Sequence, residues 1–369
     1  MNEQLKYQIA IQLLPEVGLK HAKQLIEYFG GAAEVFSADL KQLSEIMPLA
    51  VAKNIQNGRK KALERAEKEL AFIEQHGIQT YYFNDETYPF RLRQCPDCPL
   101  LLYSKGNIEP NQGHFVSVVG TRMPTQQGKD LCRKFVLELA QRLEHITIVS
   151  GLAYGIDVTA HRASLEAGIP TVIIPGHGLD RIYPYVHRPV ATESLRNGGI
   201  MTEFMSGTQP DRFNFIQRNR IIAGLSDVTV VVESKQKGGS LTTANMAVSY
   251  SRDVMAFPGR VGDEVSAGCN MLIREKKAEL ITCADDLIMT MQWDANRPKQ
   301  EVQTSLFQEL SPEQEQIIRL LKKEEEGMHI NYIMLECKKS FSQIADLLTQ
   351  LEFAGLVRSL PGGLYRMVN

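Results

Sequence analysis

Short apolar runs rich in β-branched residues alternate with helical stretches between residues 78 and 292, and this pattern constrains the fold more than any other feature. The runs are VSVVG, ITIVS, TVIIP, GGIMTE, VTVVVES, DVMAFPG and AELIT. They are apolar throughout and do not alternate with polar residues, as is typical of strands that are buried on both faces. The pattern predicts an α/β domain in which a parallel sheet carries helices on both faces.

Residues 1–77 carry no strand signal, and apolar residues recur at helical spacing in YQIAIQLL, AKQLIEYF and AEKELAFIEQ. In the segment LPEVGLKHA, Pro15 and Gly18 fit a tight hairpin whose glycine allows a close backbone approach. We therefore predict a helix-hairpin-helix (SAM-like) domain, whose hairpin amides could hold DNA phosphates. A purely structural helical cap fits equally well, because little positive charge lies near the hairpin.

The remainder of the chain predicts a linker and a small third domain. Residues 293–310 are polar and resemble a linker, whereas residues 311–369 predict a winged helix with a helix from Pro312, two further helices and the hairpin LVRSLPGGLYRM. No basic residue occurs between 340 and 355, so we expect the third helix to have a structural or protein-contact role instead of reading duplex DNA. The predicted fold class is thus a Rossmann-like α/β domain at 78–292, flanked by a helical and a winged-helix domain.

Composition narrows the class of protein. The chain has 369 residues, enough for two or three domains, and a net charge of only −2, so any nucleic-acid site must be local. No apolar run approaches the roughly 18 residues of a membrane helix, and the start MNEQLKYQIA lacks a signal-peptide pattern, so we expect a cytoplasmic protein with no membrane partner. Cys95 and Cys98 form a CxxC without a second ligand pair, so we predict no metal site.

Ligands of open α/β sheets bind beyond the carboxyl ends of the strands. The run VSVV is followed there by Gly120, Thr121 and Arg122. The run VTVVV is followed by KQKGGSLTTA, which we interpret as a phosphate cradle at a helix N-terminus. A tight turn that merely caps a helix is the alternative interpretation. The candidate members of the cradle are Lys235, Lys237, Gly238, Gly239, Ser240, Thr242 and Thr243.

The segment RFNFIQRNR at 212–220 combines arginines with phenylalanines and contains no acidic residue. We predict a helix that begins near Gln217, with Arg218 and Asn219 in its first turn. Guanidinium groups bind phosphates and an aromatic face stacks on a base, which is the combination that single-stranded nucleic acid requires. A surface helix whose arginines pair with nearby carboxylates remains the alternative.

Motifs for other chemistry are missing from the sequence. It contains neither GxGxxG after the first strand nor GxxxxGK[ST], so we predict no dinucleotide, ATP or other cofactor. Asp157 and His161 would share a helix face, but no nucleophile motif accompanies them. We therefore predict no catalytic residue and no enzyme activity.

Several ordered motifs together resemble the DprA/Smf family of DNA-processing proteins. They are VGTR at 119–122, SGLAYGIDVTAH at 150–161, RNRIIAGLSD at 218–227, GGSLTTA at 238–244, FPGR at 257–260 and GCNMLI at 268–273. The resemblance implies a protein of natural transformation that binds incoming single-stranded DNA without sequence preference, protects it and delivers it to the RecA recombinase. It also implies a homodimer formed through the α/β domain.

The same resemblance suggests roles for individual residues. It places phosphate contacts on Arg122 and Arg212 and base stacking on Phe215, followed by Arg218, Asn219 and Arg220. Ile216 stands where the family usually has proline, so we expect the loop that carries Phe215 to be less rigid than usual. The rival class is a nucleotide-processing hydrolase of a related α/β fold, which uses a PGGxGTxxE turn. This chain instead has KGGSLTTAN, with Asn245 in place of the glutamate.

Overall fold

The computed structural model describes residues 3–293, 310–322, 328–354, 356–360 and 363–367. The chain divides into two compact units, Met1–Asn296 and Arg297–Asn369, and the N-terminal helices belong to the first unit together with the sheet. Apart from its two end residues, the predicted linker at 293–310 lies outside the described residues. The predicted boundary at residue 77 stays a prediction.

The N-terminal segment forms helices that share a core with one edge of the sheet. They are α1 (Glu3–Ala10), α2 (Leu19–Phe29), α3 (Ala32–Ser37), α4 (Leu40–Ser44) and α5 (Leu49–His76), with a 3-10 turn at Ile11–Leu13. Helix α5 is rich in Ala, Lys and Glu, which favour helix, and it ends at Gly77 with a φ of 59°. Leu25, Ile55 and Leu70 pack with Leu101 of the sheet. Gly18 is the N-cap of α2, and no atom of the described residues beyond its chain neighbours lies within 4 Å of the position that a Cβ would take there.

The first unit contains a sheet of nine strands among its described residues. They are β1 (Gln79–Tyr82), β2 (Leu101–Asn107), β3 (His114–Val119), β4 (Ile146–Ser150), β5 (Thr171–Ile173), β6 (Gly198–Thr202), β7 (Val228–Val231), β8 (Asp253–Ala256) and β9 (Glu279–Leu280). Their order is β1-β2-β6-β5-β4-β3-β7-β8-β9. From β6 to β9 all neighbours are parallel, and Val116 of β3 lies opposite Ile148 of β4 and Val228 of β7.

Strands β1 and β2 were not identified from the sequence. They add an antiparallel edge, in which Tyr103 of β2 lies opposite Thr80 of β1 and Thr202 of β6. Tyr103 is buried because the N-terminal helices cover this edge. The sheet is thus mostly parallel, with its antiparallel part under the helical segment.

Helices cover both faces of the sheet, which confirms the predicted fold class. They are α6 (Phe90–Arg93), α7 (Gln126–Arg142), α8 (Ile156–Ala167), α9 (Arg188–Ser194), α10 (Arg212–Leu225), α11 (Gly239–Ser249), α12 (Ala267–Arg274) and α13 (Ala284–Met291). Helices α6, α10, α11 and α12 pack into one core, and α7, α8 and α13 pack into another. Ile221, Ile222 and Leu225 are buried and anchor α10, as predicted.

The second unit is a small winged helix. It contains α14 (Pro312–Leu321), β10 (Met328–His329), α15 (Ile330–Cys337), α16 (Phe341–Phe353), β11 (Val357–Leu360) and β12 (Leu364–Met367). The strands form an antiparallel sheet in the order β10-β12-β11. Ile317, Ile333, Ile344 and Leu348 form the core. Across both units, no described helix has the length and apolar character that crossing a bilayer requires.

Candidate nucleic-acid interface

The arginine-rich segment is helical from its first residue. Helix α10 begins at Arg212, and the Asp211 carboxylate caps it by accepting the Phe213 N–H at 2.7 Å. The prediction that the helix begins near Gln217 was therefore wrong, because it overlooked this cap. Arg212 lies exposed in the first turn, where a positive charge opposes the helix dipole and favours a bound anion.

Arg218 is buried beneath the carboxyl edge of the sheet, with only 4% of its surface exposed. Its Nη1 donates hydrogen bonds to the carbonyl of Gly151 after β4, at 2.7 Å, and to that of Ile174 after β5. A Cβ on Gly151 would overlap the Arg218 guanidinium, so a larger residue here would displace it. Burial lowers the pKa of Arg218 to about 10, while the nearby Asp157 opposes this shift. The guanidinium therefore remains positively charged at neutral pH.

Two guanidinium groups lie close to the Phe215 ring. The Cζ atoms of Arg122 and Arg218 are each 5.9 Å from the centre of its ring, which is cation–π distance. The ring rests on Gly176, where a Cβ would lie 2.7 Å from Phe215 Cδ1. Its half-buried side chain belongs to α10, and its N–H donates to the Asp211 carbonyl at 3.1 Å. Phe215 is thus part of a capped helix and not of the loop that we expected.

Arg122 is exposed on a turn that the sheet and α8 hold in place. The Thr121 N–H donates to the Glu233 carbonyl at 2.7 Å, and the Thr121 carbonyl accepts the Ile156 N–H at 3.2 Å. A Cβ on Gly120 would lie 2.5 Å from Ile156 Cγ1, so the turn requires glycine there. Gly120 and Thr121 therefore position Arg122 and are themselves only partly accessible.

A buried carboxylate fills the crevice between β3 and β7. Glu233 accepts hydrogen bonds from the N–H and the hydroxyl of Thr125, at 2.9 Å and 2.6 Å, just before α7. A Cβ on Gly128 would overlap this carboxylate. The strand order reverses at this point, where dinucleotide-binding folds place phosphate at the helix N-terminus. The Glu233 carboxylate occupies that position, so the candidate site lies instead toward β4 and β5.

Arg220 does not belong to this cluster. It is buried, its Nη2 pairs with the Glu203 carboxylate at 2.5 Å, and its Nη1 donates to the Asp97 carbonyl. Its charge is therefore neutralised within the protein, and we withdraw it as a DNA contact. Asn219 is half-buried beside it.

The proposed phosphate cradle after β7 is largely closed. Ser240 and Thr243 are buried, and the Ser240 hydroxyl donates to Ser234 Oγ at 2.8 Å. Lys235 is half-exposed and pairs with Glu264 at 3.0 Å. Lys237 and Gly239 are exposed, and Gly238 and Thr242 are half-exposed at the start of α11. Because two of its three hydroxyls are buried, the segment matches the alternative interpretation of a tight turn at the start of a helix better than a cradle.

Buried polar groups close to the site have structural roles. His161 is fully buried and its Nδ1 lies 2.7 Å from Thr171 Oγ1, whose hydroxyl donates to the Ile148 carbonyl. Burial lowers the pKa of His161 to about 3, so the ring is neutral. Asp157 accepts the Ala153 N–H at 3.3 Å, and burial raises the pKa of its carboxyl group. Neither group reaches the exposed edge.

The CxxC pair lies in the core of the first unit. Cys95 and Cys98 are buried, Lys23 Nζ lies 3.0 Å from Cys98 Sγ, and burial raises the pKa of Cys95 to about 11. Within the described residues, no cluster of three or more His, Cys, Asp or Glu side chains could hold a metal ion.

Three further residues build the site: Gly151, Gly176 and Tyr183. The ring of Tyr183 lies 5.9 Å from that of Phe215 with an interplanar angle of 31°. Tyr183 was missed, whereas Gly151 and Gly176 follow the apolar runs of β4 and β5 and were expected at the carboxyl edge of the sheet. Their contacts with α10 depend on the packing of distant segments.

Known proteins resemble both units. The family model for DNA recombination-mediator protein A matches residues 79–292, and the DprA winged helix domain matches residues 303–363. DNA processing protein DprA of Streptococcus pneumoniae is 40% identical over 205 residues, which cover 55% of this chain and 71% of that protein. Protein Smf of Escherichia coli is 31% identical over 307 residues, covering 82% and 80% of the two chains.

Two solved structures of DprA proteins are also similar to this chain. The X-ray structure of DprA from S. pneumoniae superimposes with a TM-score of 0.65 at 31% identity, covering 77% of this chain and 97% of that one. DNA processing protein A of Helicobacter pylori, solved to study its single-stranded DNA binding mode, gives a TM-score of 0.53 at 30% identity and covers 59% and 97%. With more than half of its length matched by the family model, the chain belongs to the DNA recombination-mediator protein A (DprA) family.

Proposed function

We propose that this protein binds single-stranded DNA without sequence preference at the carboxyl edge of its sheet. The observation that carries the proposal is the half-exposed Phe215 ring, which has the guanidinium groups of Arg122 and Arg218 within cation–π distance. A base can stack on that ring, and the exposed Arg122 and Arg212 can pair with the phosphates on either side. Stacking accepts any base, so such a site selects single strands and not a sequence.

We further propose that the protein protects incoming strands during natural transformation and loads the RecA recombinase onto them. It would act in the cytoplasm as a homodimer joined through the α/β domain, and without catalysing a reaction. Membership of a DNA recombination-mediator family supports this role. The H. pylori relative also supports it, because its structure was solved to study its single-stranded DNA binding mode. The exposed Asn245, where related hydrolases carry a glutamate, offers no general acid or base.

The first test compares single and double strands. Fluorescence anisotropy with labelled oligothymidylate should show tight binding that weakens with salt, with a log–log slope of about −0.7 for each phosphate neutralised. Duplex of equal length should bind more weakly, because its bases cannot leave the stack to reach Phe215. Equal affinity for duplex, or binding that is indifferent to salt, would contradict the proposal.

The second test isolates the stacking residue. Phe215→Ala should cost about 1 to 3 kcal/mol of single-strand affinity while the melting temperature changes little, because the ring is only half-buried. Phe215→Tyr and Phe215→Trp serve as controls that keep an aromatic face, and they should retain most of the affinity. If the alanine variant instead melts much earlier and binds normally when folded, Phe215 is a packing residue.

A further inference from the structure

Three exposed tyrosines lie at the same edge of the sheet as Phe215. They follow β4 and β5, and their exposed fractions are 53% for Tyr154, 49% for Tyr183 and 71% for Tyr185. Folded proteins rarely leave several large rings in contact with water in one region unless the surface binds something. Tyrosine combines an aromatic face with a polar tip, as expected for a wet binding surface.

Tyr183 connects this group to the proposed pocket. Its ring lies 5.9 Å from the Phe215 ring, with the two planes tilted by 31°. Tyr183 and Phe215 are therefore neighbouring aromatic side chains at this edge of the sheet.

Tyr185 makes a cation–π contact with Arg188. Arg188 Cζ lies 5.7 Å from the ring centre, and its Nη1 donates a hydrogen bond to the Tyr185 hydroxyl at 3.1 Å. Both residues line a groove of about 740 Å³, to which Arg196 adds a second guanidinium and Glu193 one carboxylate. The groove thus repeats the chemistry of the pocket, an aromatic face beside arginines.

The segment that bears Tyr185 is attached to the loop after β4. His187 is buried, and its Nδ1 lies 2.9 Å from the Leu152 carbonyl. The Tyr154 ring packs edge-on against His187, with centres 4.9 Å apart. The tyrosines are therefore presented on a fixed surface, so a ligand would not have to order them.

We infer that Tyr183, Tyr185 and Tyr154 form a second subsite for the same single strand, which we name the tyrosine platform. Bases beyond the one on Phe215 stack on Tyr183 and Tyr185, and Arg188 contacts the backbone between them. This inference rests on the proposed function and extends it from one nucleotide to a run of several. It predicts that the platform matters only for strands long enough to reach it.

A length series of oligothymidylates tests the platform. Tyr185→Ala should weaken binding of a long oligonucleotide by a factor of roughly 5 to 150, as expected for one lost stacking contact, and leave a strand that fills only the pocket unaffected. Tyr185→Phe should bind like wild type. Tyr28→Ala removes a tyrosine of similar exposure, 56%, from α2 and serves as the matched control.

Photo-crosslinking gives a second readout that does not depend on affinity. A long oligothymidylate with 5-iododeoxyuridine beyond the pocket position should crosslink to the tryptic peptide 182–196, and the adduct should decrease in Tyr185→Ala. An unchanged length dependence in that variant, or a crosslink elsewhere, would overturn the platform while leaving the Phe215 pocket intact. If wild type binds no oligothymidylate at all, both proposals fail. A change in oligomeric state with normal DNA binding would instead assign the tyrosines to a protein contact.

Discussion

Replacing Gly176 with alanine should disturb the pocket without removing any functional group. The new Cβ would lie 2.7 Å from Phe215 Cδ1 and 3.2 Å from both Cε1 and the backbone N of the same residue. Carbon atoms pack best at about 3.5 to 4.0 Å, so the ring must retreat by about 1 Å. Moving it off its preferred rotamer costs about 0.5 to 1.5 kcal/mol, and the displaced ring no longer lies where a base would stack. We expect oligothymidylate affinity to fall roughly 5- to 30-fold, part of the full stacking contribution.

The decisive measurement is a double-mutant cycle, with affinities from fluorescence anisotropy and stabilities from thermal melting. If Gly176→Ala acts through the Phe215 ring, it should add little to the loss already caused by Phe215→Ala. Additive losses in the double variant would refute the reasoning, because Gly176 would then affect binding independently of Phe215.

Three further outcomes follow from the charges at the site. Arg122→Ala and Arg212→Ala should each weaken oligothymidylate binding by about 1 to 3 kcal/mol and make the salt slope shallower by about 0.7, with unchanged melting because both side chains are exposed. Arg220→Met should leave oligothymidylate affinity unchanged. It should lower the free energy of unfolding, measured in urea, by about 3 to 5 kcal/mol, since it leaves Glu203 buried without its cation. If the variant instead lost affinity and kept its stability, Arg220 would again be a DNA contact. The pKa of His161 is about 3 in the folded protein and 6.5 when the side chain is exposed. Between these pH values only the unfolded chain binds a proton at His161, so the free energy of unfolding should fall as the pH drops below 6.5. This effect is about 2 kcal/mol at pH 5, and urea denaturation of His161→Gln should show a correspondingly weaker pH dependence.

Strands that are buried on both faces could be predicted from the sequence, and β3 to β8 match the apolar runs closely. Strands β1 and β2 were not predicted, because they are short, their pairing is antiparallel, and one of their faces is covered by the N-terminal helices. No local sequence pattern indicates the antiparallel pairing of β2 that buries Tyr103.

The site shows the same division between local and distant causes. Arg218 and Arg220 are two positions apart, and a turn of about 100° per residue places them on opposite sides of α10. That the two arginines have different partners could therefore have been predicted. The start of α10 could also have been predicted, since Asp211 is a typical N-cap residue. By contrast, the close contact between Gly176 and Phe215 joins segments from different strand crossovers. Only the folded chain reveals that contact.

The Glu233 carboxylate has a consequence for the speed of binding. In many α/β proteins, a ligand's phosphate supplies the negative charge at the N-terminus of the helix that follows the first parallel strand. Here Glu233 and Thr125 supply that charge and its hydrogen bonds from within the chain. The turn that bears Arg122 therefore has its shape before DNA is present, and association pays little conformational entropy there. Capture of a strand should then be limited by diffusion and electrostatic steering, with no slow closing step at this edge of the sheet.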